Sequence, residues 1–162
     1  MPVVDVIKNL DAASLTLVAD FAAPVDRVWQ IYADPRQLEQ IWGPPEYPAT
    51  FVHHALVPGG RVTYYMTGPQ GDRVFGYWQV AEVVAPDHFT FLDGFADAEF
   101  EPNTDLPVSH NSYRFEEHEG GTRATYVSTF ANADDLQVVL DMGVVEGATA
   151  ATNQIDGLLA VA

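Results

Sequence analysis

Two carboxylates stand where they could do chemistry. Glu146 follows Met142 and Gly143 by one helical turn, in a segment whose apolar residues recur at helical spacing, so it falls on the flank of an apolar stripe. Asp93 shares strand parity with Phe89 and Phe91, which puts it on the same face as two aromatic rings. A carboxyl group drawn into apolar surroundings has a raised pKa. It can then act as a general acid or base, or accept a hydrogen bond from a ligand hydroxyl. Glu146 serves equally well as a structural partner for a Tyr or Arg. The distance between the two carboxylates, and so whether they act as a pair, is open at this level.

Other chemistries lack their residues. The chain has no Cys, which removes thiol catalysis, disulfides and zinc–thiolate sites. Of its five His, His53 and His54 are neighbours in a strand and point to opposite faces, His88 and His118 fall at turns, and His110 is isolated. No two have the spacing of a metal-binding helix, so neither a metal site nor a cofactor is expected. There is no Gly-x-Ser-x-Gly elbow, no phosphate-binding loop and no Gly-rich dinucleotide turn. Gly59-Gly60 and Gly120-Gly121 read as turns between strands.

Charge narrows the partners. Seven Lys and Arg face twenty-three Asp and Glu, for a formal net charge of −16 over 162 residues. Nucleic acid requires clustered cations, and anionic membrane surfaces favour them too, so both are disfavoured. A hydrophobic content of 48% describes a globular chain long enough for one domain with a real core, expected over residues 14–160. The first residues carry Asp5, Lys8 and Asp11 without a long apolar run, so they do not read as a signal peptide, and no run is long enough to span a membrane. A cytoplasmic location is the default expectation.

The elements that must position the two carboxylates follow from periodicity. Leu15, Leu17, Ala19 and Phe21 alternate with polar residues, which predicts a strand. Pro24 opens a short helix whose Val25, Val28, Trp29 and Tyr32 share one face. Asp34-Pro35 ends it, a second short helix runs on to Ile41, and Trp42-Gly43-Pro44-Pro45 is a rigid loop. Six strands follow, with turn signals every eight to twelve residues, as in an antiparallel meander. Asn132 caps a last helix, predicted as one long element to the C-terminus, with a stripe of Leu136, Val139, Leu140, Gly143, Gly147, Ala150, Ala151, Ile155 and Leu158. Gly143 and Gly147 in that stripe leave volume unfilled, which points to close backbone contact or an internal cavity. Helices segregated from a run of about seven strands give an α+β fold.

Strand parity sorts the concave side chains as Val62, Tyr64 and Met66; Phe89, Phe91 and Asp93; Tyr113 and Phe115; and Ala124, Tyr126 and Ser128. For the strand from Val74 to Val84 the facing is open, with Trp78 a candidate. The residues expected to meet a ligand are therefore Val28, Trp29, Tyr32, Trp42, Tyr64, Met66, Trp78, Phe91, Tyr113, Tyr126, Met142 and Glu146, with Glu146 and Asp93 as candidate proton carriers.

The order of these elements resembles the helix-grip (START-like, SRPBCC) superfamily of polyketide cyclases, lipid-transfer proteins and birch-pollen-type allergens. Within it, the chain resembles the branch named after the activator of the heat-shock-ninety ATPase. The matching pieces are Ala23-Pro24-Val25 with Val28-Trp29, Asp34-Pro35 with Leu38, Trp42-Gly43-Pro44, Pro58-Gly59-Gly60-Arg61 with Met66, Gly76, Glu82-Val83 with Pro86, Gly120-Gly121-Thr122, Gly143-Val144-Val145-Glu146-Gly147, Gln154-Ile155-Asp156 and Leu158-Leu159. They run over almost the whole chain. The branch often carries an aromatic residue after the Glu-Gly pair, where this chain has Ala148. It often has an Asp and an Arg before the Pro-Gly-Gly turn, where this chain has Ala55 and Val57. Both departures imply a wider or less polar pocket.

The resemblance implies a curved sheet gripping the C-terminal helix, with a small hydrophobic or aromatic molecule held between them. It also implies two rivals: a cyclase or dehydratase that moves protons with pocket carboxylates, and a chaperone-associated stress-response protein that binds through an exposed apolar surface. Members of the branch often dimerise, so a homodimer is an expectation of the resemblance alone.

Overall fold

The computed structural model describes residues 2–160. Eight strands form one antiparallel sheet: β1 (Val3–Asn9), β2 (Ser14–Phe21), β3 (Ala49–His54), β4 (Arg61–Thr67), β5 (Arg73–Val84), β6 (His88–Ala96), β7 (Ser109–His118) and β8 (Gly121–Thr129). Their spatial order is β1-β2-β8-β7-β6-β5-β4-β3. The hairpin run β3 to β8 is thus a meander, and β2 pairs with the last strand, bringing the start of the chain next to its end. One-residue slips of register at Val3/Asp5, Phe51/His53 and Val80/Glu82 bend β1, β3 and β5. The sheet curves as a result, and its concave face carries the core.

β1 was not expected from the sequence. Its Val3, Val4, Val6 and Ile7 do not alternate with polar residues, and most of it stays exposed at the sheet edge. Only its pairing with β2 makes it a strand.

Between β2 and β3 lie α1 (Val25–Ala33) and α2 (Pro35–Leu38). Asp34 separates them in an extended conformation and caps α2 by accepting a hydrogen bond from Arg36 N at 2.9 Å. Val28, Trp29, Ile31 and Tyr32 are the buried face of α1. They meet β7 and β8, and the Trp29 ring sits edge-on to Phe89 of β6 at 5.7 Å and to Phe115 of β7 at 6.0 Å. This half of the concave face is filled with aromatic rings.

The C-terminal segment is helical in three pieces, in place of the one long helix predicted. They are α3 (Ala133–Asp141), α4 (Val144–Asn153) and α5 (Ile155–Leu159). Asn132 begins α3 as expected, accepting a hydrogen bond from Asp135 N at 2.8 Å. Gly143 breaks the run: at φ 86° it occupies the left-handed region, ending α3 and capping α4. The two glycines of the stripe therefore have different causes. Gly143 is a hinge in the backbone path, whereas Gly147 is helical and a Cβ there would meet nothing within 4 Å.

Gly143→Ala is expected to destabilise the protein by about 1–2 kcal/mol, the cost of a side chain in the left-handed region. Gly147→Ala is expected to stabilise it by roughly 0.5–1 kcal/mol through helix propensity. Urea unfolding of both variants checks this, and shifts of the same sign would contradict it.

Candidate functional site

The side of α4 facing the sheet presents Val144, Gly147, Ala148, Ala151 and Thr152. None is long, and the backbone of α4 comes near the sheet at β1. A cavity of about 300 Å³ lies between this helix and the sheet. Leu15, Leu17 and Phe130 wall one side together with Val139 of α3. Ile41, Trp42, Pro44 and Met66 wall the other, and Phe95 and Pro107 complete the apolar rim. The Trp42 loop is tied to the C-terminal helices by Gln154, whose Nε2 donates to Gly43 O at 2.7 Å.

The floor of the cavity is polar. Tyr64 on β4 lies opposite Gly76 of β5, and any Cβ at that position would collide with the Tyr64 ring. The missing side chain lets the ring lie across β5, so that Tyr64 Oη donates to Asp93 Oδ1 on β6 at 2.8 Å. Next to it, Asn111 Nδ2 donates to Ser109 Oγ at 3.0 Å, and Ser128 Oγ donates to Asn111 Oδ1 at 2.7 Å. The Tyr32 and Tyr126 hydroxyls share a buried hydrogen bond of 2.7 Å, and the Tyr113 ring stands edge-on to Tyr126 at 4.6 Å.

Burial is the main influence on these groups. It raises the Asp93 carboxyl to about 7 against the opposing effect of the Tyr64 hydrogen bond. It also raises the Tyr32, Tyr64 and Tyr113 hydroxyls well above their ordinary value, so all stay protonated. Asp93 retains some accessible surface because it is part of the cavity wall. Tyr64 is the donor to its Oδ1.

The sequence-predicted residues divide into three groups. Tyr32, Trp42, Tyr64, Met66, Asp93, Tyr113 and Tyr126 line the cavity. Val28, Trp29, Trp78 and Phe91 do not; they are core behind its wall, with Trp78 stacked on Phe91 at 4.2 Å and meeting the Trp42 ring at 4.9 Å. Met142 and Glu146 are on the outside. Met142 is 56% exposed at the end of α3, and Glu146 is exposed on the first turn of α4. The break at Gly143 rotates α4 relative to α3, so a stripe drawn through an unbroken helix misplaces Glu146, while Met142 is the residue that ends α3. Glu146 and Asp93 are therefore not a pair.

The sequence reading missed Ser109 and Asn111, although Asn111 shares parity with Tyr113 and Phe115 on β7. A polar residue on a concave strand face is the signal that could have found it. Ala148 does line the cavity, so the branch's aromatic residue would project into this space. Ala55 and Val57 do not line it, and their lack of charge leaves the pocket unchanged.

A curved antiparallel sheet, a C-terminal helical segment packed across it and a cavity between them define a helix-grip protein. The chain belongs to the family described as activator of Hsp90 ATPase homolog 1-like protein, which it matches over residues 22–160. It is 64% identical to a protein from Mycobacterium smegmatis of known crystal structure, covering 99% of each chain with a TM-score of 0.92. It is 46% identical to an Arthrobacter aurescens protein solved by NMR, covering 97% of this chain and 91% of that one with a TM-score of 0.93. An AHSA1 protein from Silicibacter pomeroyi shares 22% identity over 92% of this chain and 99% of that one with a TM-score of 0.74, a likeness of fold alone. No curated protein matches the chain. Among the described residues no helix is long and apolar enough to cross a membrane.

Asp93 ionises near 3.8 when unfolded and near 7 when folded, so between these values the folded state binds more protons. Its contribution to stability therefore falls as pH rises through that window. Asp93→Asn keeps an acceptor for Tyr64 and removes the charge. The variant is expected to be more stable than the parent at about pH 8, by on the order of 2–4 kcal/mol, with the difference shrinking towards about pH 4. Urea unfolding across this range measures it, and an equal difference at all pH values would sink the assignment.

Proposed function

We propose that the protein binds a small hydrophobic or aromatic molecule in the cavity between the sheet and α4. The reading rests on one observation: the helix that should close the core offers Gly147, Ala148 and Ala151 to a concave face wide enough to leave about 300 Å³. An apolar ligand would gain affinity from the area it removes from water, and the polar floor would fix its orientation. Tyr32, Trp42, Tyr64, Met66, Asp93, Tyr113 and Tyr126 are the proposed contacts.

Asp93 supports a second reading, a cyclase- or dehydratase-like enzyme. A carboxyl group that titrates near 7 and opens onto a ligand space is suited to proton transfer at neutral pH. Glu146 no longer supports it, being exposed on the outer side of α4. The two readings separate with Asp93→Asn: loss of turnover with retained binding means catalysis, whereas no turnover in the parent leaves binding alone.

Ala148→Trp is expected to fill the cavity, leaving the fold intact and weakening an apolar probe such as 1-anilinonaphthalene by on the order of tenfold or more. Native mass spectrometry of freshly purified parent and variant checks the same point without a chosen probe. A small molecule that leaves the parent on denaturation should be missing from the variant. Equal probe binding by both proteins would refute the cavity as the site.

A further inference from the structure

None of the Lys and Arg side chains lines the cavity. Arg27 donates to Gln37 Oε1 at 2.7 Å, Arg36 to Phe51 O at 2.8 Å and Arg61 to Phe100 O at 2.6 Å. Arg73 lies over the Tyr65 ring at 4.3 Å, Arg114 pairs with Asp87 at 2.8 Å and Arg123 with Asp20 at 2.7 Å. Lys8 lines a separate hollow with Asp11 and Asp141. The histidines follow the same pattern. His54 bonds Tyr32 O at 2.9 Å, His88 lies between Asp87 and Glu82, His118 is 3.8 Å from Glu119, and His53 and His110 are exposed.

One positive end remains near the cavity, the N-terminus of α4, where Val144 lines the wall. Glu146 sits in that first turn, and its Oε2 comes within 3.8 Å of where a Gly143 Cβ would stand. The chain's own carboxylate thus answers the helix dipole from outside. Facing the cavity are neutral hydroxyls, the Asn111 amide and one carboxyl group, Asp93, whose Oδ1 accepts from Tyr64. A carboxyl group on a cavity wall that no cation lines favours a donor and penalises a second negative charge.

We propose that the cavity selects an apolar or aromatic molecule whose head group donates a hydrogen bond to Asp93 and carries no negative charge, and that it rejects carboxylates, fatty acids included. This rests on the cavity being a ligand site, as argued above. It restricts the ligand class to uncharged alcohols, phenols and amides and to amines.

Isothermal titration with three molecules on one skeleton tests it: 2-naphthol, 2-naphthoate and 2-methylnaphthalene. The expected order at about pH 8 has 2-naphthol at least roughly tenfold tighter than 2-naphthoate, with 2-methylnaphthalene between them. The gap should narrow on going to about pH 5.5, where Asp93 is protonated and 2-naphthoate is still ionised. In Asp93→Asn it should be small at both pH values. If 2-naphthoate binds as tightly as 2-naphthol, or the gap ignores pH and the substitution while 2-methylnaphthalene still binds, the selectivity is wrong and the ligand cavity stands. If none of the three binds, the cavity reading fails and this inference with it.

Discussion

The side chains that α4 turns towards the sheet are too short to reach it, and the arrangement of the site follows from that constraint. A curved sheet encloses more volume than one helix fills. On the α1 side the excess is taken up by Trp29 and Tyr32 against Phe89, Phe115 and Tyr113, rings in edge-on or tilted contact at 5.3–6.0 Å. Such contacts add to plain burial, and they hold the middle strands at their curvature whether or not the other half is occupied. The α4 side can then remain under-packed without collapse, because the filled half and the Gln154 tie to the Trp42 loop hold the walls apart.

The polarity of the floor depends on the same packing. Asp93 would be costly to bury charged, and its one protein donor is Tyr64. That hydrogen bond exists because Gly76 lets the Tyr64 ring cross β5. Remaining proton-bound to near neutral pH is how the carboxyl group tolerates its position. Elsewhere, Arg114 and Arg123 pair with acids at the surface. Each Arg finds an acidic, carbonyl, amide or aromatic partner, and none of the seven Lys and Arg lines the cavity.

Much of this was legible in the sequence. Alternation in residues 15–21, 61–67 and 122–129 gave strands with correct facing, and Pro24, Asp34-Pro35 and Asn132 marked helix ends by their own chemistry. Tyr64, Tyr113, Tyr126 and Asp93 were placed together by parity alone. What failed had a common origin in tertiary context. β1 has no alternation because an edge strand with little burial needs none. Trp78 and Phe91 are concave as parity requires, but depth decides between core and cavity wall, and depth depends on the Trp42 loop lying above Trp78. A helical stripe drawn through Gly143 counts propensity as its only cost. Its left-handed backbone changes the phase of everything after it, so Glu146, the sharpest polar candidate in the sequence, ends on the outside.

That reversal leaves the site with one titratable carboxyl group in place of two, which weighs on its chemistry. A pair of carboxylates with separated pKa values can divide acid and base roles, whereas one alone must return the proton it takes or pass it to solvent or substrate. The tyrosines around Asp93 are held protonated well above neutral pH and so can donate hydrogen bonds without taking part in turnover. A floor of this kind recognises more readily than it reacts. Its bonds favour a head group that matches them, and the apolar walls of Leu15, Leu17, Val139 and Ala151 add affinity that is indifferent to the rest of the molecule's chemistry. The division of labour between a selective floor and a permissive wall follows from which strand residues point inward and which helix residues are too small to meet them.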